Sequence, residues 1–436
     1  MEDLRLIERT VLFPKTKNTK PRRLFLSNID LSLLGHHEHV CFFHTPPNGM
    51  TFQRVREILH DSLETLLVPY DFLAGRLVPS ADDVGRLEIE CDGSGIVVVV
   101  ARTDCRLSEL GELCELKPEF KRLTAFLHDE GEELKDLGDL PLLRFQLTQF
   151  GCGSIALAML LNHCTVDGVA IHDFLTNFAA VTRGDDLVVV PNSDRTIFRA
   201  RNPLQISYPH YEHSKTDEGE DPFVGRTFKL PRSTRQAHSV YLSPKRIESL
   251  KRSALTTKKI ANCSVFQVVA ARIWKARAIG LKIPNERYSN MLFPTDTRKR
   301  VVPEVPKGFA GNAILPGYAR ARVVDLLAAD DGELVRQVQE GIGRLTDEYI
   351  RSCIDWLEVN KGVHWGRDSF SVVALWRLGL DEDEFAWGRP ICSVPVELRP
   401  WMVAISPGPR DGGGINVCVE MNEEQIPGFR RLMLED

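Results

Sequence analysis

A mixed α/β fold in two globular halves is what this sequence predicts, on three observations. The chain has 436 residues, room for two cores at about 150 residues per domain. Stretches with apolar residues at helical spacing interleave with stretches that alternate in polarity or run wholly apolar, the marks of amphipathic helices and of half-exposed or buried strands. Between them, residues 185–232 turn polar, proline-containing and aperiodic, as a connection between folded bodies does. The expected limits are an N-terminal domain over 1–190, a crossover linker over 191–232 and a C-terminal domain over 233–436.

In the first half, residues 52–67 place Val55, Leu59, Leu63 and Leu66 or Leu67 on one helical stripe. The helix stops before Pro69, which pushes Val68 towards extended geometry, and Gly75 is the next flexible point. Leu87, Ile89 and Cys91 alternate with charged residues, the chain turns at 92–95, and a nearly all-apolar run follows, so a half-exposed strand leads into a buried one. Leu143, Phe145 and Leu147 alternate with Arg144, Gln146 and Thr148; after a turn at 151–153, residues 154–162 read as a buried strand running into HCTVDG. Val169, Phe174, Phe178 and Val181 are helically spaced, and Arg183 and Gly184 close that helix. HCTVDG therefore sits at a strand end entering a helix, where side chains face a cleft.

The second half opens with a strand at 237–242 and helices from Pro244 to about Leu255 and from Ser264 to Ala278. A strand at 288–293, a turn-rich stretch and a helix from about Val324 to Ile350 follow, and strands near 370–378, 400–406 and 415–420 close the chain. No internal repeat or low-complexity tract interrupts this order.

Composition narrows the function. Lysine and arginine number 55 against 60 aspartates and glutamates, a net charge of −5, which gives nucleic acid no overall positive field to bind. The ten cysteines form no CxxC pair, which argues against zinc knuckles and thioredoxin-type chemistry and for a reducing compartment. The first nine residues mix acids and bases, unlike a secretory signal, and the longest apolar run, 96–101, is far short of a membrane span. A cytoplasmic protein without a membrane span is expected.

Nucleotide signals fail: there is no GxxxxGK[ST], and Gly151-Cys152-Gly153 with Ala156 is followed by a strand, not a helix. No GxSxG elbow is present, since Ser94 lies in a strand turn. His36, His37, His39 and His44 cluster, with 37 and 39 on one strand face, but lack a ligand partner at familiar spacing, so a structural role is preferred to a metal site. His163 with Asp167 is the stronger constellation, because imidazole suits general-base work near neutral pH. Read locally, the four-residue spacing puts Asp167 on the imidazole as its orienter.

Several segments, in order, resemble the plant BAHD acyl-CoA transferases: LSNID (26–30), LLVPYDFLAGRL (66–77), GRLEIECDGSG (85–95), PLLRFQLTQFGCG (141–153), HCTVDG (163–168), CSVFQVVAARIWKARA (263–278), TDTRKR (295–300), GFAGN (308–312) and EFAWGRP (384–390). The resemblance spans essentially the whole chain. It implies two similar domains of mixed sheet with flanking helices, chloramphenicol-acetyltransferase-like, with a channel between them and a segment near 370–400 packed on the N-terminal domain. An acyl-CoA co-substrate and an alcohol or amine acceptor would enter from opposite faces and meet at His163, the general base; no metal and no tightly bound cofactor is required, and the chain is expected to act as a monomer. Asp167 would turn from the imidazole to an arginine like Arg298, supporting the site with Gly168. This differs from the local reading and is preferred to it.

The sequence departs from the family at three places. EFAWGRP stands for DFGWG, so Ala386 replaces a glycine while Trp387 and Gly388 are kept; a positive φ at 386 would cost about 1 kcal/mol or more. The family's Thr-x-Trp falls on Val373 and Leu375, and leucine cannot donate to an oxyanion. Trp376, one residue on, and Trp387 are the remaining candidates for an oxyanion or channel role. Where shikimate- and quinate-using relatives carry an arginine, this chain has Asn360 beside Lys361, which counts against a small acidic acceptor. The LSNID opening and the linker resemble the branch that acylates long-chain alcohols and ω-hydroxy acids with hydroxycinnamoyl groups.

Ser264, Arg298 and Arg300 are candidates for the CoA phosphates, Trp274 and Phe266 read as helix core, and Cys164 reads as a small buried filler. Two alternatives to an O-acyltransferase stand beside it: a catalytically silent relative acting as a binding or accessory protein, and a hydrolase or unrelated α/β enzyme reusing HxxxD.

Overall fold

A computed structural model describes residues 1–16, 22–128, 136–213, 236–361, 369–399, 401–409 and 412–435. The last part of the expected linker, residues 214–232, lies outside the described residues. In chain order the first half contributes β1 (Arg5–Leu12), β2 (Arg22–Phe25), α1 (Asn28–Leu31), β3 (His36–Phe43), α2 (Phe52–Leu66), β4 (Arg76–Pro79), β5 (Leu87–Cys91), β6 (Ile96–Arg102), β7 (Leu143–Gln149), β8 (Ile155–Asn162) and α3 (Gly168–Thr182). The second contributes β9 (Gln236–Leu242), α4 (Pro244–Thr256), α5 (Val265–Gly280), β10 (Tyr288–Asp296), β11 (Ile314–Arg322), α6 (Val323–Ala328), α7 (Asp331–Gly343) and α8 (Asp347–Asn360). It ends with β12 (Ser369–Ala374), β13 (Cys392–Pro395), β14 (Met402–Pro407), β15 (Ile415–Met421) and α9 (Ile426–Leu434).

The strands form two six-stranded sheets, ordered β1-β6-β7-β8-β3-β13 and β11-β10-β12-β14-β15-β9, and a three-stranded sheet β2-β5-β4. Both large sheets are mixed: β6 and β7 run parallel, as do β10 with β12 and β12 with β14, among otherwise antiparallel pairs. This is the mixed α/β class expected.

Period-two alternation explains the first sheet. Leu143, Phe145 and Leu147 of β7 and Ile155, Leu157 and Leu161 of β8 face α2 and α3, meeting Leu59, Leu63, Phe174 and Phe178. Ala156, Ala158 and Leu160 face the other way, onto Val40, Phe42, Phe120 and Leu123. Each fully buried leucine or phenylalanine contributes about 1.5–3 kcal/mol. The polar residues alternating along β7 do not reach solvent: Arg144, Gln146 and Thr148 are all fully buried. Helical turns at Pro118–Leu127 cover them, Phe126 N–H donates to Gln146 Oε1, and Arg144 donates to the Leu127 carbonyl. The strand alternation holds, but its polar side faces no solvent, because the segment preceding the strand folds over it.

In the second sheet, Phe370, Val372, Val403, Ile405, Val417 and Val419 pack on Trp274 and Phe429 of α5 and α9. The opposite face carries Ala404 and Cys418, which join Leu116 and Leu398 with Leu375 and Met402 in an apolar seam between the halves. β13, from the second half, completes the edge of the first sheet, pairing Cys392 with Phe42 and Pro395 with His39.

Three expectations need correction. The helix from 324 to 350 is three helices: Asp330 and Thr346 fold their side chains onto the amides of Glu333 and Tyr349 and start new N-termini, and Ala329 is extended. The turn-rich stretch contains β11, where Pro316 sits opposite Pro294 in the register. The strand near 370–378 ends at Ala374, and Leu375–Arg377 form a single helical turn.

The loop 308–312 is fastened to the crossover. Gly308 has φ +70°, and a Cβ there would collide with the Val190 carbonyl oxygen; the Asn192 N–H donates to the Gly308 carbonyl at 2.8 Å and the Asn192 carbonyl accepts from the Ala310 N–H at 2.7 Å. Gly308→Ala is therefore expected to lower the unfolding free energy by about 2 kcal/mol, measured by urea denaturation. A loss under about 0.5 kcal/mol, the scale of an ordinary surface change, would show that the junction yields.

Candidate active site

β8 delivers His163 at its C-terminal end. The His163 N–H donates to the Gly35 carbonyl at 2.8 Å, Asn162 Oδ1 accepts from the Cys164 N–H at 3.2 Å, and Thr165 Oγ1 donates to the Asn162 carbonyl at 2.7 Å. This turn reverses the chain into α3, and His163 stays half-buried at its edge.

Asp167 is the N-cap of α3 and nearly inaccessible, at 1% exposure. Its Oδ1 accepts from the N–H groups of Val169 and Ala170. Arg298 adds a two-pronged pair, each bond 2.8 Å, and the Ala313 N–H donates to Oδ2 at 2.8 Å. The local reading of Asp167 as the imidazole's orienter is overturned: His163 precedes the helix, so helical spacing does not bring the two together, and the carboxylate folds onto its own first turn. Asp167 instead joins α3 to the TDTRKR segment of the second half and to Ala313, the residue after GFAGN.

The imidazole is oriented by Asn312. Asn312 Nδ2 donates to Asp30 Oδ1 and to the His163 carbonyl, each at 2.9 Å. Both partners can only accept, so the amide nitrogen must face them. Asn312 Oδ1 then faces His163 Nδ1 at 3.2 Å, and Nδ1 must carry the proton. Nε2 is left with its lone pair. Asp30 is fixed in turn by the Ser27 N–H and hydroxyl at 2.8 and 2.7 Å and by Arg195 at 3.1 Å, both charged groups being buried. Arg195 also donates to the carbonyls of Cys164, Thr165 and Ala310.

Electrostatics keep the ring neutral. Burial lowers the His163 pKa below 6.5, with Arg399 pushing the same way and the Asp167 charge and Asn312 bond opposing. The His37 ring meets His163 edge-on at 4.7 Å; burial lowers its pKa well below the ordinary value and that of His39 to about 4. His37 and His39 do share one face of β3, as the alternation predicts.

The remaining candidates separate. Gly168 opens α3, and a Cβ there would lie 2.7–2.8 Å from both Leu378 methyls. Trp387 is 1% exposed, stacked on Phe385 at 5.2 Å and set among Phe43 and Phe178, so it belongs to the core of the first half. Trp376 stacks on Phe266 at 6.5 Å; the helical turn that replaces the strand end carries it there, and the expected strand parity does not apply. Leu375 lies in the apolar seam. Ser264 caps α5 in a capping box with Gln267, and Arg300 Nη1 donates to the carbonyls of Ile342 and Leu345. Arg298 is committed to Asp167 and Asp296, which leaves it a structural part. Ala386 takes no positive φ and donates its N–H to Thr182 Oγ1 at 3.0 Å, while Gly388 holds φ +115°, so the alanine is unstrained.

Sequence reading missed Asn312, Asp30 and Arg195, although the first two lie in quoted motifs. Removing one partner of a buried pair leaves an uncompensated charge at a cost of about 3–5 kcal/mol. Arg298→Met is expected to destabilise the chain on that scale in urea unfolding; a change below about 1 kcal/mol, the size of an exposed pair, would contradict the structural role.

Comparison with known proteins follows the same lines. A family model described as Transferase family matches residues 3–435. Acyltransferase GLAUCE of Arabidopsis thaliana is 34% identical, over 99% of this chain and 96% of that protein. The omega-hydroxypalmitate O-feruloyl transferase of the same plant is 32% identical, over 87% and 81%. In fold, the chain matches the crystal structure of vinorine synthase at a TM-score of 0.76, with 19% identity and 99% and 98% coverage. It also matches F. graminearum TRI101 complexed with ethyl coenzyme A at 0.72, with 15% identity and 94% and 96% coverage. With a family model spanning nearly every residue and a full-length relative above 30% identity, the chain belongs to the transferase family of BAHD acyl-CoA-dependent acyltransferases.

Proposed function

We propose that the protein moves a hydroxycinnamoyl group from an acyl-CoA to the hydroxyl of a long-chain alcohol or ω-hydroxy acid, with His163 as general base. The observation that carries this reading is the 3.2 Å contact of Asn312 Oδ1 with His163 Nδ1, which calls for the proton on Nδ1 and leaves the lone pair on Nε2 of a half-buried ring. Nε2 takes the acceptor's hydroxyl proton as the oxygen attacks the thioester carbonyl. The tetrahedral intermediate then collapses, the C–S bond breaks, and the same proton passes to the departing CoA thiolate. Position 375 offers no indole to the oxyanion.

The acceptor class has two supports. Relatives include the feruloyl transferase above and a fatty alcohol:caffeoyl-CoA acyltransferase of Arabidopsis thaliana, 29% identical over 97% of this chain and 96% of that protein. Asn360 at the end of α8 turns its Nδ2 back onto the Trp356 carbonyl at 2.8 Å, and Lys361 pairs with Glu358 at 2.7 Å, so neither is placed as a clamp for a small acid. Ser264 and Arg300 remain proposed contacts of the CoA phosphates.

The test follows free thiol from hydroxycinnamoyl-CoA with a panel of acceptors. Acceptor-dependent release, at least 10-fold higher in kcat/KM for long-chain alcohols and ω-hydroxy acids than for shikimate or quinate, is expected. Release to water alone indicates a hydrolase, and no release with any acceptor indicates a silent relative. His163→Ala should lose about 10²–10⁴ in kcat with an unchanged melting temperature, and Asn312→Ala about 10²-fold through misplacement of the ring. Because the base must be unprotonated and its pKa is lowered, kcat/KM should be flat above pH 6.5 and fall only below it. A midpoint above 6.5 contradicts the assignment.

A further inference from the structure

Away from His163, the start of the crossover meets α8 in a buried cluster of His210, Glu212, His213 and Cys353, none more than 4% exposed. One ligand atom each from His210, Glu212 and Cys353 lie within 4.8 Å of one another, and His213 Nε2 is 3.3 Å from Cys353 Sγ. Zinc takes imidazole nitrogen, carboxylate oxygen and thiolate at about 2.0–2.3 Å in a tetrahedron, which sets donors roughly 3.3–3.8 Å apart. Three donors come from four consecutive positions and the fourth from the helix opposite.

The surroundings have the form of a second shell. His210 Nε2 meets Ser352 Oγ at 2.8 Å, which turns Nδ1 to the cluster, 2.9 Å from Glu212 Oε1. The Tyr349 hydroxyl contacts both Glu212 oxygens at 2.7 Å. Tyr349 flanks the His210 ring and Trp356 stacks on the His213 ring at 5.3 Å. His210 also holds a left-handed φ of +46°, a cost of about 1–2 kcal/mol for a non-glycine residue.

We propose that His210, Glu212, His213 and Cys353 form a structural site for a zinc-class divalent cation that clamps the crossover to α8 and takes no part in acyl transfer. Binding exchanges the Cys353 Sγ proton, released to solvent, for a metal–sulfur bond. The clamp bears on α8, whose Ile354 carbonyl and Glu358 carboxylate hold Asn28 at 3.0 and 2.7 Å, beside the turn that carries Asp30.

The test titrates the full chain, treated with chelator, with Co²⁺ and then Zn²⁺. Expected are one metal per chain, a thiolate-to-cobalt charge-transfer band with tetrahedral d–d intensity, displacement by zinc, and a melting temperature raised roughly 3–6 °C by excess zinc. Cys353→Ser should lose the charge-transfer band, and His210→Ala and His213→Gln, which keep the thiol, should each weaken zinc binding at least 10-fold. Turnover well below the melting temperature should not depend on zinc. No bound metal, a cobalt adduct without the thiolate band, or equal uptake by all three variants would overturn the proposal, the last by placing the metal elsewhere among the ten cysteines.

Discussion

The buried ion pair of Asp30 with Arg195 is the constraint from which the geometry of the site follows. Neither side chain is more than 1% exposed, and a pair so deep depends on further hydrogen bonds to its lone pairs and protons. Ser27 and Asn312 supply them to Asp30, and three backbone carbonyls accept from the Nη atoms of Arg195, whose Nε has no partner among the described residues. The carboxylate decides which way the Asn312 amide points, and the amide decides which nitrogen of His163 carries its proton. A charge that never touches a substrate thus sets the chemistry of the ring.

Asp167 performs a parallel task between the halves. By capping α3 and pairing with Arg298, it couples the turn that carries His163 to the loop that carries Asn312. The HxxxD spacing is explained by this division: histidine closes a strand, aspartate opens a helix, and the residues between make the turn. Both carboxylates belong to the first half and hold adjacent residues of the second, Asp30 through Asn312 and Asp167 through the Ala313 N–H.

Much of this was legible in the sequence where the signal is local. The helical stripe of α2, the hairpin of β7 and β8, and the place of His163 at a strand end all follow from apolar spacing. β13 was not legible, because four residues ending in proline carry too short a pattern, and their partner β3 lies about 350 positions earlier. α6, α7 and α8 merged because their apolar period runs on past Asp330 and Thr346, whose capping role appears only in the side-chain bonds. Asn312 was quoted within a motif without a role, because its partners at 30 and 163 are brought to it only by the tertiary fold. The family departures divide the same way: Ala386 is absorbed by ordinary backbone geometry, while Leu375 is absorbed by apolar packing at the seam.

The central claim is that His163 rests as a neutral imidazole protonated on Nδ1 with Nε2 free. Nitrogen-15 NMR of selectively histidine-labelled protein at pH 7, with His163→Gln to assign the signals, tests it most directly. The account predicts a protonated Nδ1 and a non-protonated Nε2 for this residue. A proton on Nε2, or on both nitrogens, would contradict it.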